Sequence, residues 1–222
     1  MMTYKFRTAL AICAMMLVLT NALMASPLEE KKLQSEERLV QSRFVSLFAA
    51  ITEQFSKRQA HYLVDPSAYN LFLDTNVRSL WDTSSTTSAL IGKARFIGLK
   101  PSDRQALIGA VDNTLVRYAF EGLEHYGGQT FEVVDVAVNK SATMGWVQVL
   151  MESPIIPDLH LDLLIKRNSS GDWNAVDIRF KGITYVAVKK HEFRKIIEKH
   201  GVTALIDSLK RNNSDNFRDI CA

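Results

Sequence analysis

The stretch "LEHYGGQTFEVVDVAV", Leu123 to Val138, changes its period at a glycine pair, and the fold turns on that change. Upstream of Gly127-Gly128, Leu107, Val111, Leu115, Tyr118, Ala119, Leu123 and Tyr126 recur every three to four residues, one stripe of a helix. That helix is expected from Pro101 to about Tyr126, opened by a capping box of Ser102 and Gln105 and ended by the glycines. At 1.5 Å per residue it is roughly 40 Å long and needs a long surface to pack against.

Downstream, "TFEVVDVAV", "MGWVQVL", "HLDLLIK" and "WNAVDIRF" are four β-rich segments of strand length. Asn139 to Thr143 and Asn168 to Asp172 have the composition of hairpin turns. Val147 and Val149 oppose Met144, Trp146 and Leu150, while Leu161, Leu163 and Ile165 share a face that Leu164 does not. Apolar groups on both faces require that each face be covered or that one enclose something. The class is therefore α+β: a twisted antiparallel sheet of four strands, or slightly more, packed against amphipathic helices around an apolar cavity.

The flanks supply the helices. After a polar leader, Glu29 to Glu37, the residues Phe44, Phe48, Ile51 and Phe55 lie on one helical face. Asp65-Pro66 reads as an N-cap with proline at the first helical position, followed by Tyr69, Phe72, Leu73, Val77, Leu80 and Trp81. Ser84 to Thr87 is a further start signal leading to Ala89, Leu90, Ala94 and Ile97. At the C-terminal end Phe193, Ile196, Ile197 and His200 form a helical face. Gly201 stops that helix, and Val202, Leu205, Ile206 and Leu209 begin another. The polar residues beyond Arg211 are expected to fray.

Lys5 and Arg7, the apolar run Ala9 to Leu19, and the small residues near Ala22 to Ser26 have the layout of a secretory signal peptide. Cleavage is expected after Ala25, or alternatively after Ala22; a retained N-terminal anchor is the competing reading. Residues 26–215 then form one domain and residues 216–222 a flexible tail. No later run is apolar enough to span a bilayer, so the mature protein is expected to be soluble. Of the two cysteines, Cys13 lies in the signal and Cys221 has no partner, so the fold needs a core rather than a disulfide. With 27 basic and 24 acidic residues and no basic block, nothing points to nucleic acid.

Catalytic motifs are missing: there is no nucleophile elbow, phosphate-binding glycine loop or Cys-x-x-Cys. His191-Glu192 starts like a zinc-protease helix, but Lys195 stands where the second histidine belongs. Asp177, amid apolar neighbours in the last strand, reads as a carboxylate fixing loop amides or, alternatively, as a general base. Lys189 and Lys190 beside Glu192 read as the solvated start of a helix. Neither a metal nor any other cofactor is expected. Trp81, Phe96, Phe120, Tyr126, Trp146 and Trp173 are the large groups that could line a cavity. Leu150, Leu163, Ile178, Ile183 and Tyr185 are further candidates, with Val186 and Val188 beside them.

Two blocks carry a family resemblance. "RYAFEGLEHYGGQTFEV", Arg117 to Val133, is similar to the Tyr-Ala-x-x-Leu-x-x-Tyr-x-Gly pattern of the MlaC, or toluene-tolerance, family of periplasmic lipid-binding proteins. Tyr118, Ala119, Leu123 (displaced by one), Tyr126 and Gly128 carry it. "GDWNAVDIRFKGITYVAVKKHEFRKIIEKHGVTALIDSL" resembles a second block through Gly171, Trp173, Asp177, Gly182, Ile183, Phe193, Gly201, Leu205 and Ile206. Thr184 replaces the usual serine, Lys189-Lys190 a Tyr-Arg pair, and Arg95-Phe96 a tryptophan. "AVKKHEF" is closer to the hopanoid-associated branch.

The resemblance implies a non-enzymatic, monomeric periplasmic carrier, with acyl tails in a deep apolar cavity and the head group near solvent. It implies phospholipid or a related membrane lipid as cargo. The partners it implies are an inner-membrane ABC transporter and an outer-membrane lipoprotein complex. Lipid class, direction and docking surfaces stay open. The alternatives are a small-molecule enzyme using Asp177 as base, or an envelope adaptor with no cavity.

Overall fold

The computed structural model describes the backbone of residues 27–221 and the side chains of residues 28–214; the expected signal peptide, with Cys13, and the side chain of Cys221 lie outside these. Helix α1 (Pro27–Val64) is followed by α2 (Pro66–Asn76), a short 3-10 turn (Arg78–Leu80), α3 (Thr83–Ile91), α4 (Lys93–Gly98) and α5 (Pro101–Glu124). Strands β1 (Thr130–Val138), β2 (Met144–Glu152), β3 (Leu159–Arg167), β4 (Trp173–Phe180) and β5 (Ile183–Thr184) precede α6 (Tyr185–Cys221). The strands pair antiparallel in chain order, β1-β2-β3-β4-β5. The fold is the expected α+β, with a two-residue fifth strand added to the four.

Several boundaries differ from the sequence pattern for identifiable reasons. Glu29 to Glu37 is no leader but the first turns of α1. Its acids bind the far end of the sheet: Trp173 Nε1 donates to Glu36 Oε2 (3.1 Å), Arg167 Nη2 lies 3.3 Å from Glu36 Oε1, and the Val138 amide donates to Glu37 Oε1 (3.2 Å). Asp65 caps α2 as expected, accepting from the Ala68 amide at 3.1 Å. The Ser102 capping box does not form. Lys100 is the N-cap of α5 without a side-chain bond, and Pro101 sets the start. Gly92 splits the region after Ser84 into α3 and α4, and Asp82 caps α3 through the Ser85 amide (2.9 Å). Gly201, at φ 82 and ψ 170, breaks the helical backbone as expected, so α6 is two helical segments that meet at a kink. Beyond Arg211 the helical backbone continues to Cys221. Asn213 is buried there, and its amide donates to the Ala110 carbonyl at 3.1 Å.

One face of the sheet packs on α1. Val133, Val136, Val147, Val149, Leu163, Ile165, Trp173 and Ala175 meet Val40, Phe44 and Phe48 in a dense core. A second core joins α3, α4, α5 and α6 through Leu90, Ile91, Phe96, Leu107, Val111, Phe193 and Leu205. A third, largely aromatic, ties the end of α1 to α2 and α5 through Tyr62, Tyr69, Phe72, Val116, Phe120 and Leu123. Among the described residues no helix is long and apolar enough to cross a membrane.

Candidate functional site

The α1 face of the sheet is filled at one end only. Towards the starts of β1 and β3 and the ends of β2 and β4, the residues in phase with the core are Phe131, Met151, Leu161 and Phe180. They face a cavity of about 640 Å³. Its opposite walls are Ile51 and Phe55 of α1, Tyr69, Phe72 and Leu73 of α2, and Tyr118, Ala119 and Tyr126 around α5. A second compartment of about 270 Å³ shares Leu73, Val77, Tyr118 and Ala119 with the first and adjoins it on the side of β4 and α6. Trp81, Leu115, Val116, Ile178 and Tyr185 line this inner part.

Rigid packing holds the walls apart. Tyr69 stacks edge-on against Phe120 (4.7 Å between centroids) and donates its hydroxyl to the Ala119 carbonyl at 2.9 Å; burial pushes its pKa up. Gln59 Nε2 donates to the carbonyls of Leu123 and Tyr126, both at 2.9 Å, fixing the end of α5 to α1. Tyr118 and Tyr185 meet edge to face at 6.0 Å across the inner end. Burial raises the Tyr185 pKa, and its hydroxyl has no hydrogen-bond partner among the described residues. The charged groups of the inner compartment are paired at its edge, Arg78 Nε with Asp112 Oδ2 at 3.2 Å. The interior therefore offers apolar surface and aromatic faces.

Of the residues expected to line a cavity, Tyr126 is on the larger compartment and Trp81, Ile178 and Tyr185 are on the smaller. Phe120 lies behind the wall in the aromatic core, and Leu163 is buried under α1. Trp146 and Leu150 point to the opposite face because they are out of phase with Val147, Val149 and Met151. There Arg179 lies over the Trp146 ring at 4.0 Å while pairing with Asp162 at 2.8 Å. Phe96 belongs to the helical core and touches a separate groove on that face. Ile183 is exposed beside the cavity end of β4, and Trp173 is core.

Sequence reasoning passed over Phe131, Met151, Leu161 and Phe180, which parity with the core valines and leucines could have found. It also passed over Phe55, Tyr69, Phe72 and Tyr118, which it assigned to helix stripes.

That separate groove, about 600 Å³, runs between β2–β4 and α3, α4 and α6. Two of its three cations are engaged locally: Lys166 Nζ donates to Ser85 Oγ (3.0 Å), and Arg194 donates to the Leu90 and Ala89 carbonyls (3.3 and 3.4 Å), while Lys93 is exposed at its edge. Asp177, at its floor, points away from the apolar cavity and accepts from the amides of Ile178 (2.9 Å) and Val186 (3.1 Å). With Thr184 Oγ1 accepting from Ala187 (3.1 Å), it caps the start of α6. Burial raises the Asp177 pKa, a push the amide hydrogen bonds only partly offset. Lys189 pairs with Glu192 at 3.1 Å on the surface. Among the described residues no three of His, Cys, Asp and Glu are grouped to hold a metal ion.

Fold and site together define an α+β domain built around a deep apolar pocket. The chain belongs to the MlaC family, described as "MlaC protein", whose family model matches residues 46–211. Its fold is similar to that of a phospholipid-binding protein from Ralstonia solanacearum solved in complex with a phospholipid. The two are 18% identical, with a TM-score of 0.67 over 81% of this chain and 97% of that chain.

Proposed function

We propose that this protein is a non-enzymatic, monomeric lipid carrier of the periplasm. It binds a phospholipid or related membrane lipid by its acyl chains and moves it between an outer-membrane lipoprotein complex and an inner-membrane ABC transporter, sustaining outer-membrane lipid asymmetry. The observation that carries the reading is the two-compartment cavity, of ligand size and apolar on nearly every wall. Each buried methylene contributes roughly 0.8 kcal/mol, so acyl chains are held without any catalytic or strongly polar group. Membership of the MlaC family and the phospholipid found in the Ralstonia solanacearum protein support the same cargo class. In this reading the chains lie against Tyr126, Trp81, Ile178 and Tyr185, together with Phe55, Tyr118, Phe131 and Phe180, all of which line the cavity.

Native mass spectrometry of protein purified under mild conditions tests this. A bound mass that extraction identifies as a membrane lipid is the expected result. The bare chain mass alone, across several preparations, would overturn it.

A further inference from the structure

At the open end of the cavity two exposed apolar tips stand side by side. One is the β2–β3 loop Ser153-Pro154-Ile155-Ile156-Pro157-Asp158, in which Ile155 is 71% exposed and Ile156 lines the cavity. The other is the β4–β5 turn. There Phe180 pairs with Ile183, which is 60% exposed, across Lys181 and Gly182, whose φ values of 49 and 80 make a two-residue hairpin. The remaining exposed apolar residues are mostly dispersed along helices; these four crowd one rim.

The loop satisfies its own backbone donors. From Ser153 to Pro157 every backbone donor is consumed or absent. The Ser153 amide donates to Asp158 Oδ1 (3.3 Å), Ile155 and Ile156 donate to Ser153 Oγ (3.2 and 3.3 Å), and the two prolines have no N–H. A backbone N–H taken into an apolar phase without a partner is costly, a cost these donors avoid. Ile155 rests against Gly127: a Cβ built there would come within 2.5 Å of its Cδ1. Lys181, with its ammonium 5.5 Å from the Phe180 ring, puts a cation at the level where phosphate groups would lie.

We infer that this rim is a docking surface for a lipid bilayer: Ile155 and Ile183 enter the head-group boundary, with Lys181 on the phosphates, so that acyl chains pass between membrane and cavity past Ile156 and Phe180 without crossing water. The inference rests on the carrier reading, because only an apolar cargo gives the rim a purpose.

The test is flotation of the purified protein with protein-free vesicles of phosphatidylethanolamine and phosphatidylglycerol. The double variant Ile155→Ser with Ile183→Ser changes exposed residues that do not line the cavity. It should keep its bound lipid by native mass spectrometry while vesicle partitioning falls about tenfold or more. Ala119→Phe, which obstructs the cavity, should lose bound lipid yet float like the wild type. That separates failure of the rim from failure of the carrier reading. Wild-type protein that does not float, or a double variant that floats equally well, overturns the inference. Flotation only when a membrane protein is reconstituted into the vesicles overturns it in favour of a protein partner.

Discussion

The two ends of one sheet face do opposite things. At the end carrying Val133, Val147, Val149, Leu163, Ile165 and Trp173, α1 lies directly on the strands and Phe44 is fully buried between them. At the end carrying Phe131, Met151, Leu161 and Phe180, the same pleat faces about 640 Å³ of space. Phe48 and Phe131, 5.6 Å apart, mark the border. Mostly compact, β-branched side chains let a helix approach the first end closely. At the second, Tyr62, Tyr69, Phe72 and Phe120 pack against one another, so α2 and α5 rest on an aromatic wedge rather than on the strands. A void of that size in an ordinary core would lose its contacts and be costly. Here stability is concentrated in one half of the molecule and binding space in the other.

The comparison can be broken most severely at the dense end. Phe44→Ala removes a fully buried ring from the α1–sheet core and should destabilise by about 3–5 kcal/mol in chemical denaturation. Lipid retained per folded molecule should stay close to wild type, because Phe44 does not reach the cavity. Parallel loss of both would mean that the two ends are not separable.

Asp177 tests what holds the inner wall, since it caps the helix whose first residue, Tyr185, closes the smaller compartment. Asp177→Ala should cost about 1–2 kcal/mol, as for a lost cap, and loosen lipid retention. Asp177→Asn keeps an acceptor for the Val186 amide and should retain both fold and lipid. The pH dependence has a definite sign. The folded pKa is raised, so the native state binds the proton more tightly than the unfolded chain. The residue's contribution is then fully present below the ordinary carboxylate range and declines as pH climbs from there through the raised value. The stability of Asp177→Asn relative to wild type should therefore improve over that window. A flat difference across it would place the charge in water.

These architectural halves were unequally legible in the sequence. The period switch at Gly127-Gly128, the four strands, the Asp65 cap and the change of direction at Gly201 are local signals, and local signals carry far. Glu36, Glu37 and Asn213 read as solvent-facing because their partners lie roughly a hundred residues away: Trp173, Arg167, Val138, and the carbonyl of Ala110. The cavity was harder still. Size alone singles out the large aromatics and groups Trp146 with Ile178, although the pleat puts them on opposite faces. Strand parity can assign a residue to a face. Whether that face meets a helix or a gap depends on how far the aromatic wedge lifts α2 and α5, which no residue pattern within one segment encodes.

The smallest expected stability change is at the cavity's waist. Ala119 lines both compartments at the edge of the aromatic core, and its carbonyl takes the Tyr69 hydroxyl, so the backbone there is fixed. In the dense half, inserting a ring would overpack and cost about 1–3 kcal/mol. At Ala119 the added ring enters a void. Its burial gain offsets the loss of about half a kcal/mol in helix propensity, and stability should move by less than about 1 kcal/mol. Lipid retention should nevertheless fall at least about tenfold, because chains that span both compartments must pass this position. Thermal unfolding and lipid content measured on the same sample decide the matter. Destabilisation as large as that expected for Phe44→Ala would show that the waist is core. Unchanged stability and unchanged lipid would show that the inner compartment is not used.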